Sequence, residues 1–181
     1  MADTQVDVTR RIAAPASTIW QMVSDVTRMG EWSPETTAAT WSKGANGPTL
    51  GARFSGKNRN GRRTWSTVCT VDECEPDRTF GFAVAAGPLK VARWSYRIEP
   101  EINQEINQEI NQEINQEIKG GQGREGGPAC TVTETWIDQR GWLVRRLGKP
   151  LSGVADRASH NRAGMERTLE RLAAAAEGAA A

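Results

Sequence analysis

The sequence holds a single histidine, His160, and a single tyrosine, Tyr96. Any imidazole base must therefore be His160, and any phenolic acid Tyr96. Glu134 is the third group of interest, because Val132 and Trp136 stand two residues to either side of it. If that strand face points inward, Glu134 is a buried carboxyl and a candidate acid or base. If it points outward, Glu134 is an ordinary surface glutamate, the reading favoured because glutamate is seldom buried unpaired. Asn161 is the fourth, an amide set in an otherwise apolar helical stripe. It either satisfies a backbone group or buried water beneath a sheet, or points into the interior and orients the polar end of a ligand. His160 falls about 100° round the helix from it, towards Arg157, Gly164 and Arg171, which predicts a rim or solvated histidine rather than a catalytic one. One histidine and three cysteines without ligand spacing make no metal site. No nucleophile elbow, phosphate loop or dinucleotide glycine motif occurs, so no cofactor is expected. Gly120-Gly121-Gln122-Gly123 follows a repeat, opens no helix and reads as linker.

The elements that must position these groups follow from periodicity. A helix is predicted from about residue 151 to 176, with Leu151, Val154, Ala158, Asn161, Met165, Leu169 and Leu172 on one stripe. Upstream, alternation in residues 5–12 predicts a half-exposed strand. Pro15 stands as a first helical residue, and Ile19, Trp20, Val23 and Val26 follow at helical spacing to about residue 24 or 26. Asp25 or Thr27 caps a second short helix closed by Gly30, and Pro34 holds Ser33 extended beyond it. Strands are then predicted over 36–43, 52–58, 64–75, a stretch bearing Phe80, Phe82 and Val84, 91–99 and 131–138. The hairpin at Asn60-Gly61 should have both residues at positive φ, and Gly87-Pro88 makes a later turn. Ala92, Trp94, Tyr96 and Ile98 share one strand face. Residues 142–147 carry one helical turn's pattern before Pro150 interrupts it. Cys69 and Cys74, an odd number of residues apart on one strand, should face opposite ways, and all three thiols read as buried and reduced, as in cytoplasm.

Residues 101–118 are four copies of Glu-Ile-Asn-Gln and a final Glu-Ile, running into a glycine-rich stretch that ends at Pro128. A period of four drifts about 40° per repeat on a helix, and as a strand it makes a poor core pattern. It reads as a low-complexity insertion between the last two strands, in an otherwise single domain over 1–181. The repeat carries five glutamates, so the remainder has net charge +6 against +1 for the whole chain. Neither value suits a nucleic-acid binder, and no apolar run is long enough to span a membrane.

Strand, two helices, six strands and a long helix specify an α+β chain with an antiparallel sheet. The chain resembles the START-like, or Bet v 1-like, superfamily, and within it the bacterial polyketide cyclase/dehydrase and lipid-transport-like branch. The residues that carry the likeness begin with Ile12-Ala13-Ala14-Pro15, Ile19-Trp20 and the run from Asp25 to Trp32-Ser33-Pro34-Glu35. They continue with Trp65, Glu75-Pro76-Asp77-Arg78, Val132 to Trp136, Asp156-Arg157-Ala158 and His160 to Met165. The resemblance implies a helix-grip fold, a curved sheet of six or seven strands wrapped round the C-terminal helix, with an apolar cavity between them. It implies no single chemistry. The expected ligand-binding residues are Trp32, Phe82, Trp94, Tyr96, Trp136, Asn161 and Met165, and the weak catalytic candidates are Tyr96, Glu134 and His160. Binding of a small hydrophobic or aromatic molecule ranks above an aromatase/cyclase-type enzyme, because few polar groups are available for catalysis. A regulatory protein acting through its surface is a third reading.

Overall fold

The structure is a computed structural model that describes residues 5–101, 128–141, 153, 154 and 156–178. The repeat, its glycine-rich continuation as far as residue 127, the turn expected over 142–147 and Leu151 lie outside the described residues. The described chain runs β1 (Gln5–Ile12), α1 (Ala16–Ser24), a 3-10 turn over Val26–Arg28 and α2 (Met29–Trp32). It continues with β2 (Thr36–Ser42), β3 (Arg53–Asn60), β4 (Arg63–Glu75), β5 (Thr79–Ala86), β6 (Leu89–Pro100), β7 (Cys130–Asp138) and α3 (Arg157–Gly178).

Seven strands form one curved antiparallel sheet in the order β1-β7-β6-β5-β4-β3-β2. The last six are a meander, and β1 joins it alongside β7, pairing from Gln5↔Ile137 to Ile12↔Cys130. Register shifts between Thr36 and Ala38, Val71 and Glu73, and Val84 and Ala85 mark irregularities of the kind that bend a strand. The concave face holds Phe54, Val71, Phe80, Ile98 and Val132, all at most 2% exposed. Helix α3 lays Met165, Leu169, Leu172, Ala173 and Ala176 against that face, while α1 adds Ile19, Met22 and Val23. The rings of Trp41, Phe54, Phe82 and Phe80 touch in sequence, with centroids 5.6, 5.1 and 5.9 Å apart. These spacings suit edge-on and tilted aromatic pairs.

Several local expectations are corrected. Helix α3 begins at Arg157 rather than near residue 151, because Asp156 acts as its cap: its carboxylate accepts from the Ser159 N–H at 3.0 Å and the Ser159 hydroxyl at 2.7 Å. Gly153, with φ +72°, already lies off any helical path, and Val154 is buried ahead of the helix. Gly30 sits inside α2 instead of closing it; the helix ends at Ser33, whose ψ of 131° is the extended geometry imposed by Pro34. Pro15 occupies the cap position of α1, and its carbonyl accepts from Thr18 and Ile19. The β3–β4 turn is Gly61-Arg62 between paired Asn60 and Arg63, with positive φ at Gly61 and not at Asn60. Finally, Cys74 pairs with inward-facing Phe80, as Cys69 does with Val84, because the bulge after Val71 resets the alternation. Both thiols therefore lie on the core side, and all three cysteines are free.

Candidate functional site

Between the concave sheet and the first half of α3 lies a cavity of about 600 Å³. Its aromatic wall follows from the β6–β7 register. Trp94 is paired with Trp136 and Tyr96 with Glu134, so both pairs point to the same face on successive rungs. The two tryptophan rings are 6.4 Å apart, and Phe54, Phe82 and Trp65 extend the wall across β5, β3 and β4.

Glu134 is 3% exposed, which overturns the outward reading. Every second residue of β7, from Cys130 to Asp138, is buried. Its apolar neighbours Val132 and Trp136 thus decide the face, and the carboxyl is buried with a partner, since the Tyr96 hydroxyl donates to Oε1 at 3.0 Å. Oε2 is buried without a partner among the described residues. Loss of hydration pushes the Glu134 carboxyl up to about 8, opposed by the hydrogen bond from Tyr96. Burial, then the adjacent carboxyl, push the Tyr96 phenol well above its ordinary value.

From the opposite side α3 presents Asn161 and Met165, both on the cavity wall. Asn161 is 3% exposed, and its Nδ2 has no acceptor among the described residues. Asn161 thus lines the cavity, and among the described residues its Nδ2 makes no hydrogen bond to a backbone group. Thr168, one turn beyond Met165 on the helix, returns its hydroxyl to the Gly164 carbonyl at 3.1 Å.

His160 lines the cavity nearer solvent, in a cluster that spacing alone did not disclose. The Glu35 carboxylate accepts from Arg157 through Nη1 at 3.0 Å and Nη2 at 2.8 Å, and lies 2.8 Å from His160 Nε2. Arg157 and His160 are one turn apart on α3, so one carboxylate reaches both. The guanidinium also lies 5.9 Å from the Trp65 ring centroid. Next to this clasp, the Thr36 hydroxyl donates to Asn58 Oδ1 at 3.1 Å and Asn58 Nδ2 donates to Thr67 at 3.4 Å. At another edge Arg140 holds Asp138 bidentately at 2.9 and 2.7 Å.

Of the residues expected to bind ligand, Phe82, Trp94, Tyr96, Trp136, Asn161 and Met165 line the cavity and Trp32 does not. Trp32 belongs to the core. The Arg28 guanidinium lies 4.9 Å from its ring centroid, and Met29 and Ser33 line the cavity in its place. The candidate acids Tyr96 and Glu134 are brought together, while His160 joins Glu35. Glu35 and Arg157 stand in motifs that carried the family likeness, but no periodicity marked them as partners. Asn58, Thr67 and Arg140 had no sequence signal, because strand register alone brings them to the wall. No group of three side chains able to hold a metal occurs among the described residues, and no described helix is long and apolar enough to cross a membrane.

A comparison with curated proteins finds no match. Among solved structures, the chain is similar to the Polyketide_cyc-like protein of Corynebacterium glutamicum at 28% identity and TM-score 0.54, covering 94% of this chain and 90% of that one. It shares its fold with a protein of Chromobacterium violaceum, at 12% identity and TM-score 0.57, over 96% of each chain. It also shares its fold with StfQ, the di-domain ARO/CYC of the steffimycin biosynthetic pathway, at 12% identity and TM-score 0.62. There the likeness covers 99% of this chain and 52% of StfQ, about half of the larger protein. The family model described as polyketide cyclase/dehydrase and lipid transport matches residues 3–177. With the helix-wrapped sheet and its cavity, that match over almost the entire length makes the chain a member of the polyketide cyclase/dehydrase and lipid transport family.

Proposed function

We propose that this protein binds a small hydrophobic or aromatic molecule in the cavity between its sheet and α3. The carrying observation is the cavity itself, about 600 Å³ with Phe54, Phe82, Trp94 and Trp136 in its wall. That volume lies within the range of small-molecule sites, which join apolar walls to a few placed polar groups. Asn161 and the Tyr96–Glu134 pair are those groups here. Three free thiols suit work in the reducing cytoplasm. Native mass spectrometry of protein purified from its source tests the reading, with a co-purifying apolar compound expected. An empty protein that also fails to bind a panel of hydrophobic probes would overturn it.

A second reading, an aromatase/cyclase-type enzyme, is favoured by one observation. A buried carboxyl that titrates near 8, hydrogen-bonded to a phenol, is poised for proton transfer near neutral pH. The shared fold with a di-domain ARO/CYC is consistent with it. In that case Glu134 is the acid or base, Tyr96 orients it, and the Glu35–His160 hydrogen-bonded pair stands elsewhere in the cavity wall. Turnover of a poly-β-keto substrate that is lost in Glu134→Gln, with ligand affinity retained, would establish catalysis; binding without turnover leaves the first reading in place.

A further inference from the structure

Two polar atoms of the cavity wall are buried and lack a partner among the described residues: Asn161 Nδ2 and Glu134 Oε2. We infer that Asn161 and Glu134 are specificity determinants that select an uncharged ligand bearing a hydrogen-bond-accepting oxygen over the matching carboxylate or hydrocarbon. The inference rests on the binding reading above and names the chemistry that the site accepts.

Each half of the discrimination has its own ground. The Asn161 NH₂ is a donor at every pH, and the Tyr96 hydroxyl already occupies Glu134 Oε1, leaving Oε2 without a partner among the described residues. With its titration near 8, the carboxyl is protonated at neutral pH and offers O–H, so the two groups are donors. A hydrocarbon of the same shape leaves both unpaired, worth about tenfold or more in affinity per group. A carboxylate is penalised differently, because it needs a cation in the buried wall. Arg140 is held bidentately by Asp138 and Arg157 by Glu35. Lys90 also lines the cavity, but it is exposed at the start of β6, far along that strand from Tyr96. Both arginines of the wall are therefore already paired, His160 is engaged by the same Glu35, and Glu134 ionises more readily as its surroundings become positive, not negative.

Three isosteric probes separate the outcomes: 2-acetylnaphthalene, 2-isopropylnaphthalene and 2-naphthoate, each titrated calorimetrically into the full chain near pH 6. The ketone is expected to bind about tenfold or more tightly than either of the others. Asn161→Leu should cut the ketone's advantage by about tenfold, leaving the share owed to Glu134, and leave the hydrocarbon within about threefold. Raising the pH to about 10 should shrink the ketone's advantage in the wild type but not in Glu134→Gln, whose amide keeps a donor at all pH values. If the hydrocarbon binds as tightly as the ketone, or naphthoate binds best, the inference falls and the binding reading stands. A ketone preference undiminished in Asn161→Leu removes Asn161 from the assignment, and binding of none of the three overturns both inference and reading. Should Asn161→Leu fail to fold, the ranking on the wild-type chain still decides.

Discussion

Glu134 and Tyr96 face each other across the β6–β7 pairing, and the carboxyl has exchanged water for aromatic rings and one hydroxyl. Its folded-state titration is raised from 4.5 to about 8. Across that window the folded chain keeps a proton that the unfolded chain releases, so this group's contribution to stability falls as pH rises from about 4.5 to about 8 and is level above. Glu134→Gln is expected to remove this dependence. Urea denaturation above pH 8 should find the variant more stable than wild type by up to about 5 kcal/mol, with the difference vanishing at low pH. Tyr96→Phe acts in the opposite sense on the same group. The tyrosine hydrogen bond lowers the carboxyl's titration, so its loss should move the pH at which stability levels off above the wild-type value near 8. A Tyr96→Phe variant whose stability levels off at a lower pH would contradict this account of the pair.

At the scale of elements, the cavity's edge depends on how closely α2 approaches β2. A Cβ added to Gly30 would lie 3.0 Å from the Thr37 carbonyl oxygen and 3.3 Å from that of Thr36. Both obstacles are backbone, so the helix would have to move. Gly30→Ala is expected to cost about 1–3 kcal/mol, visible as a lowered melting temperature. Pro34 and Glu35 follow directly after α2, so displacement of that helix should also disturb the Glu35–Arg157–His160 clasp and weaken binding of 2-acetylnaphthalene. An unchanged melting temperature would show that α2 yields without strain. The same clasp ties the start of α3 to the chain after α2, and Asp156 caps the helix one residue before Arg157. The start of α3 is therefore set by a capping carboxylate that helical periodicity does not reveal, which is why a longer helix was expected.

For the whole molecule, the strands that flank the repeat in sequence hold the sheet together up to its edges. β6 and β7 are paired as far as Pro100↔Cys130, and the Glu101 N–H donates to the Ala129 carbonyl at 2.9 Å. Arg11 joins this end to β1 through Glu101 at 2.8 Å. The sheet is thus closed by contacts that do not involve residues 102–118. Replacing those residues with a short glycine-containing turn is expected to leave folding and probe binding unchanged, since the length of a connection between paired strands costs little. Loss of either, measured by thermal unfolding and calorimetry, would give the repeat a structural role. The family match over residues 3–177 includes the repeat within its span, and the fold it implies is complete among the strands on either side.

Much of this protein is decided by local physics. Alternation and helical spacing set the order of elements, Gly87-Pro88 sets one turn between paired Ala86 and Leu89, and Pro34 sets the extended exit from α2. The polar interruption of the last helix at Asn161 marks, from sequence alone, the place where α3 meets the cavity. What local physics leaves open is the sign of a strand face and the identity of distant partners. A period of two shows that Val132, Glu134 and Trp136 point the same way, but only packing beneath α3 turns that way inward and makes Glu134 a buried acid. One bulge after Val71 reverses the alternation that separated Cys69 from Cys74. Glu35 meets His160 and Arg157 across more than 120 residues of chain, as their hydrogen bonds record. Such pairings depend on register, curvature and where the helix crosses the sheet, quantities that belong to the assembled fold and to no single segment of it.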